Sequence, residues 1–160
     1  MEISVLAVGR LKSGPEADLC GRYLDRARKS GRTRGFRGFE VQEIAESRAA
    51  RAADRIAQEE EALLGFIGRS DHTVCLDAAG ELLDSESFAA MLRRDSEAAI
   101  SRTRFVIGGP DGLGEKIVAA AERRLSFGRL TWPHQIVRIL LAEQLYRAMT
   151  ILSGHPYHRA

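Results

Sequence analysis

The sequence predicts an α/β fold: a mainly parallel sheet with helices on its faces. Three observations predict it. Short apolar runs alternate with longer helical patterns along the chain, as strand–helix–strand units do. The run Phe105-Val106-Ile107 is continuously apolar, like a buried parallel strand, and it stops at a glycine-rich turn, Gly108-Gly109-Pro110-Asp111-Gly112-Leu113-Gly114. Apolar content of 44% and charged content of 29% over 160 residues suit one globular domain, residues 1–160, with one sizeable core.

Residues 2–8 read as a first strand that ends at Gly9. Pro15, tolerated in a first helical turn, opens a helix to about residue 29, with Leu19, Tyr23, Leu24 and Ala27 on one stripe. Residues 28–38 form a basic, glycine-broken loop carrying Arg28, Lys29, Arg32, Arg34 and Arg37 and no acid. It reads equally as a phosphate-contacting loop and as a solvated connection. A second strand covers residues 39–44, and a long helix 47–67 has Ile56, Leu63, Leu64 and Ile67 as its apolar positions. A third strand, 73–76, runs into Asp77-Ala78-Ala79-Gly80. Asp84-Ser85 starts the next helix, with Phe88, Met91 and Leu92 facing inward. The fourth strand is 104–107, followed by a helix over 115–124 with Glu115 in its first turn. Residues 125–132 make a short fifth strand or loop, and Pro133 suits the first turn of a last helix reaching about residue 152.

That last helix is apolar on more than one stripe: Ile136, Val137, Ile139, Leu140, Leu141, Leu145, Met149, Ile151 and Leu152. Such a helix is buried on several sides. One side suits its own sheet and another a second copy of the chain across a two-fold axis. Glu143 and Arg147 have the spacing and order of an intrahelical ion pair.

Composition excludes several classes. No run approaches the ~20 apolar residues of a membrane span, and the amino terminus lacks the pattern of a signal peptide. Cys20 and Cys75 stand far apart without metal-ligand spacing, so neither a disulfide framework nor a metal site is expected, and a cytoplasmic location is. The net charge of +2 is no global nucleic-acid signature. Only three of the 24 basic residues are lysine, and arginine pairs bidentately with phosphate where lysine cannot. The glycine turn fits neither common nucleotide motif. Gly112-Leu113-Gly114 lacks the third glycine of the dinucleotide fingerprint, and Glu115-Lys116 stands where a P-loop needs Lys and then Ser or Thr. Its place after a strand marks it as a candidate ligand-binding turn, with Gly109 leaving space that a side chain would occupy, and the alternative is a tight turn with no ligand.

Four motifs in order then carry a resemblance: Gly108-Gly109-Pro110-Asp111-Gly112, Leu130-Thr131-Trp132-Pro133-His134, Glu143-Gln144-Leu145-Tyr146-Arg147-Ala148 and His155-Pro156-Tyr157-His158-Arg159. Together with Ala7-Val8-Gly9 and the chain length, they resemble the RlmH family of ribosomal RNA large-subunit methyltransferases, in the SPOUT superfamily. The resemblance implies a deep trefoil knot in the carboxyl-terminal segment, a homodimer, and S-adenosylmethionine (SAM) as methyl donor. It implies as substrate the N-3 position of a pseudouridine in helix 69 of 23S rRNA, within the assembled ribosome. It implies cofactor loops at Leu76 and Asp77, at Gly108 and Gly109, and at Gly128, Arg129, Leu130, Thr131, Trp132 and Pro133. Candidate catalytic residues are His134, Arg138, Tyr157, His158 and Arg159. His134, Tyr157, His158 and Glu143 are the groups that could accept the imide proton or stabilise the anion; Arg138 and Arg159 suit phosphate or pyrimidine oxygens. A second class stays open: a non-catalytic ribosome-associated RNA-binding factor, supported by the arginine loop and the polar tail.

Overall fold

The computed structural model describes residues 1–157. Five strands form one wholly parallel sheet: β1 (Glu2–Val8), β2 (Arg37–Ile44), β3 (Asp71–Leu82), β4 (Arg102–Ile107) and β5 (Arg123–Ser126), in the order β2-β1-β4-β3-β5. Six further elements cover it: α1 (Pro15–Gly31), a 3-10 turn (Arg32–Arg34), α2 (Ala52–Leu64), α3 (Ser85–Glu97), α4 (Glu115–Ala120) and α5 (His134–Ser153).

Alternation along each strand divides the core between two faces. Ile3, Val5 and Ala7 of β1, with Val74, Leu76, Phe105 and Ile107, pack under α1, α3 and α5. Leu6 and Val8, with Cys75 and Val106, face the other way, against Leu63 of α2 and Ile117 of α4. The helix after β3 thus lies on one face and the helix after β4 on the other. Adjacent parallel strands whose connections leave on opposite faces open a crevice at their carboxyl ends.

Several expected boundaries are corrected. The helix predicted over 47–67 is confined to Ala52–Leu64. The segment before it is held extended by α2 itself: Glu59 Oε1 accepts the Ser47 N–H at 2.8 Å, and Arg55 Nη1 donates to the carbonyls of Ala49 and Ala50 at 3.0 Å. The third strand does not stop at residue 76. Leu76 and Glu81 both pair with Leu125, so the residues between them bulge out of the ladder and Asp77 is re-aimed at the sheet end. The basic segment 28–38 is no loop: α1 continues to Gly31, the 3-10 turn follows, and β2 begins at Arg37. The helix after the glycine turn ends at Ala120 because Arg123 already belongs to β5.

The several-sided apolarity of α5 is met largely inside the chain. Leu141, Ala142, Leu145, Ala148 and Met149 are buried in the main core, and Val137, Ile139, Tyr146, Ile151 and Leu152 pack against it.

Candidate active site

The carboxyl ends of β3, β4 and β5 open into a cleft of about 720 Å³, within the usual size range of small-molecule sites. Leu76 and Asp77 line it from β3, and Gly108 and Gly109 from the turn after β4. Gly128, Leu130, Thr131, Trp132 and Pro133 line it from the connection between β5 and α5. Arg129 is the expected cofactor residue that does not line the cleft. His134, the first residue of α5, completes one wall with Val137.

The turn after β4 is set by local chemistry. Gly112 N–H donates to Gly109 O at 3.0 Å across Pro110-Asp111, with Pro in the second position, where its fixed φ favours the turn. Asp111 is then clamped by Arg55 of α2, Nε to Oδ2 at 2.6 Å and Nη2 to Oδ1 at 2.9 Å. These hydrogen bonds hold the Asp111 carboxyl below its ordinary range. The other carboxylate lining the cleft, Asp77, accepts from Arg124 Nη2 at 2.8 Å. Both charges are therefore matched before any ligand arrives. The remaining wall is largely apolar: Leu76, Ile107, Leu125, Leu130, Trp132 and Val137. Leu130 and Trp132 are 70% and 40% exposed, unusual for large apolar side chains, and both sit at this cleft.

Gly109 has a different role from the expected one. A Cβ there would stand 2.9 Å from Glu59 Oε2 and 3.0 Å from Val8 Cγ1, so the missing side chain lets the turn lie on β1 and α2 rather than leaving room for a ligand. Glu59 is 4% exposed, its Oε2 has no partner among the described residues, and burial raises its pKa. Gly112 and Gly128 are the cleft glycines that open onto free space: their φ values are +89° and +128°, and a Cβ at either would meet nothing within 4 Å.

The candidate catalytic residues occupy three environments. His134 stands at the cleft, with Nε2 3.4 Å from Glu46 Oε1. Arg138 is 2% exposed. Its Nη1 donates to Glu43 Oε1 at 2.6 Å, and its Nη2 donates to the carbonyls of Val8 at 2.7 Å and Gly9 at 2.5 Å. Its guanidinium thus ties α5 to the ends of β1 and β2. Tyr157 folds back on α5: its ring lies 4.6 Å from that of Tyr146, Arg147 sits over it at 5.1 Å, and its hydroxyl donates to Glu143 Oε1 at 3.3 Å. Burial, with the neighbouring Glu143 carboxylate, pushes the Tyr157 phenol up to about 12. The expected Glu143–Arg147 ion pair is present at 2.5 Å. His158 and Arg159 lie outside the described residues. No group of three or more His, Cys, Asp or Glu among the described residues could hold a metal ion.

Sequence reasoning missed Arg55, Glu59 and Glu43, the side chains that brace the site. Arg55 and Asp111 are 56 residues apart, and no local pattern joins them.

The family described as "Predicted SPOUT methyltransferase" matches residues 1–158. The Ribosomal RNA large subunit methyltransferase H of Rhodopseudomonas palustris (strain BisB5) is 51% identical over 160 residues, 100% of each chain. That of Bradyrhizobium sp. (strain ORS 278) is 49% identical, covering 100% of this chain and 99% of its own. Among solved structures, a probable methyltransferase from Bordetella pertussis Tohama I superposes with a TM-score of 0.51 at 16% identity, over 92% of this chain and 95% of its own. A full-length match at half identity, on a parallel sheet with its cleft at the carboxyl ends of β3, β4 and β5, places this chain in the SPOUT methyltransferase family, among the large-subunit ribosomal RNA methyltransferases H.

Proposed function

We propose that the protein transfers the methyl group of SAM to N-3 of a pseudouridine in helix 69 of 23S rRNA, on the assembled ribosome, as a cytoplasmic homodimer. The observation that carries this reading is the cleft: three strand-end segments far apart in sequence meet there, and each is a segment the family resemblance implies for the cofactor. When bound, SAM supplies an electrophilic methyl on a sulfonium. The residues present suit it. Leu130 and Trp132 offer apolar cover for an adenine, and Gly128 leaves the cleft free of an intruding side chain. The site's task is to align the N-3 lone pair with the methyl carbon. As the N–C bond forms and the C–S bond breaks, the imide proton must leave. In this reading His134, which lines the cleft wall, takes it. Tyr157, with its phenol held protonated, serves as a donor rather than a base. The reading includes the deep trefoil knot, which would hold the connection between β5 and α5 rigid at the rim of the cleft.

Calorimetry with SAM tests the reading. The wild type should bind. Leu130→Asp should weaken binding about ten- to a hundredfold, the worth of one buried leucine, with an unchanged melting temperature, since Leu130 is 70% exposed. A wild-type chain that cosediments with ribosomes and takes up no SAM would instead establish the non-catalytic RNA-binding factor.

For the dimer, the sequence points to Leu141 and Leu145, but these are 1% and 0% exposed in the chain's own core. Charges there would unfold the protein and say nothing about subunits. Ile136 and Leu140 are the half-buried pair on α5 that stand outside the core clusters. Leu140→Asp should convert a sedimenting dimer into a folded monomer. A wild type that sediments as a monomer at micromolar concentration would remove the dimer from the proposal.

A further inference from the structure

The arginines of segment 28–38 have no role in the cleft. Arg32 and Arg34 sit on the 3-10 turn and Arg37 opens β2; all three are exposed. Among the described residues no carboxylate pairs with any of them, whereas Arg55, Arg102, Arg104, Arg124 and Arg138 each hold one. Their backbone is pinned. Phe36 is 3% exposed and anchors the segment in the core, and the Met1 ammonium donates to Gly35 O at 2.8 Å. Arg28 donates to the carbonyls of Gly38 at 3.1 Å and Phe39 at 3.3 Å. The result is a stiff cationic edge, joined by the chain's own terminal ammonium, in a protein whose net charge is only +2. Arginines on a pinned backbone suit the phosphates of a structured polyanion, because only their side chains are left to order on contact.

Its position decides what it touches. Arg37 pairs in register with Glu2, at the start of β1, while the cleft lies beyond the opposite ends of the parallel strands. Seven residues of strand separate the two ends of β1, roughly 20 Å at ~3.3 Å per residue. A nucleotide in the cleft and a phosphate on this edge therefore belong to different stretches of RNA.

We infer that Arg32, Arg34 and Arg37 form a second, remote docking edge for the phosphate backbone of folded ribosomal RNA, distinct from the RNA segment that enters the cleft. The inference rests on the proposed rRNA methyltransferase reading, and a folded RNA offers both stretches at once.

The test is tritiated methyl transfer to ribosomes lacking the modification, across a salt series. The triple variant R32Q/R34Q/R37Q should raise KM for ribosomes about tenfold and leave kcat and SAM affinity unchanged. It should also flatten the slope of log kcat/KM against log salt by about 2, since each phosphate contact contributes ~0.7 to 0.9. The triple lysine variant, which keeps the charges, should recover most of the KM and the slope. An unchanged KM and salt slope in the glutamine variant would overturn the inference. So would a variant that loses only cosedimentation with anionic-lipid vesicles, which would assign the edge to a lipid surface. If the wild type transfers no methyl group, the functional reading fails on its own; ribosome cosedimentation over the same salt series then still decides the docking edge.

Discussion

Arg138→Met is expected to cost the protein about 3 to 5 kcal/mol, the range for removing one partner of a buried ion pair. The guanidinium is 2% exposed, and its loss strands two backbone carbonyls at the end of β1 as well as Glu43. Glu43 keeps a hydrogen bond from the Leu11 N–H at 2.8 Å, and its side chain is 28% exposed, which favours the lower half of that range. With ~1 to 3 kcal/mol per molar of urea for a domain of this size, the urea midpoint should fall by about 2 M. Arg138→Lys should recover only part of the loss, because a single ammonium cannot reproduce the fork that spans Glu43, Val8 and Gly9. A variant that unfolds at the wild-type midpoint and yet fails to methylate would return Arg138 to the role the sequence suggests, direct contact with RNA.

Deleting residues 156–160 is expected to abolish methyl transfer to ribosomes while sparing SAM binding. The described part of this tail contributes the Tyr146–Tyr157 ring contact and the Arg147–Tyr157 cation–π contact. Such contacts are worth ~1 kcal/mol each, so the melting temperature should drop by only a few degrees. Among the described residues no cleft-lining residue comes from the tail, so calorimetry with SAM should be unchanged. The loss should fall on the chemical step or on RNA docking, since the deletion removes a phenol held protonated together with His158 and Arg159. Mixing the truncated chain with full-length Leu130→Asp should restore part of the activity if the tail of one subunit serves the cleft of the other. Full activity in the truncated chain would show that the tail serves neither the chemical step nor RNA docking.

The contrast between these two regions shows where a sequence is readable. Local chemistry marks the run from Phe105 to Gly114: an apolar strand, a proline-fixed turn and a helix start announce themselves within ten residues. The connection from Gly128 to Pro133 reads locally only as a short strand or loop, and its place at the cleft is implied by the family resemblance alone. The helix expected over 47–67 is too long because its first residues have helical composition, while their backbone groups are taken by Glu59 and Arg55. Side-chain bonds to backbone outcompete propensity there.

Periodicity and turn chemistry specify the α/β class, the mainly parallel sheet and the glycine turn after the fourth strand, because both act over a few residues, while the family resemblance supplies the other segments of the cleft. The function of individual side chains does not follow from them. Arg138 looks like a free cation on a helix and is the most enclosed charge of the fold. Gly109 looks like ligand space and is a contact with β1 and α2. Arg32, Arg34 and Arg37 look like a flexible loop and form a pinned edge at the far end of the sheet. In each case the partner lies dozens of residues away, and only the closure of the sheet brings the two together.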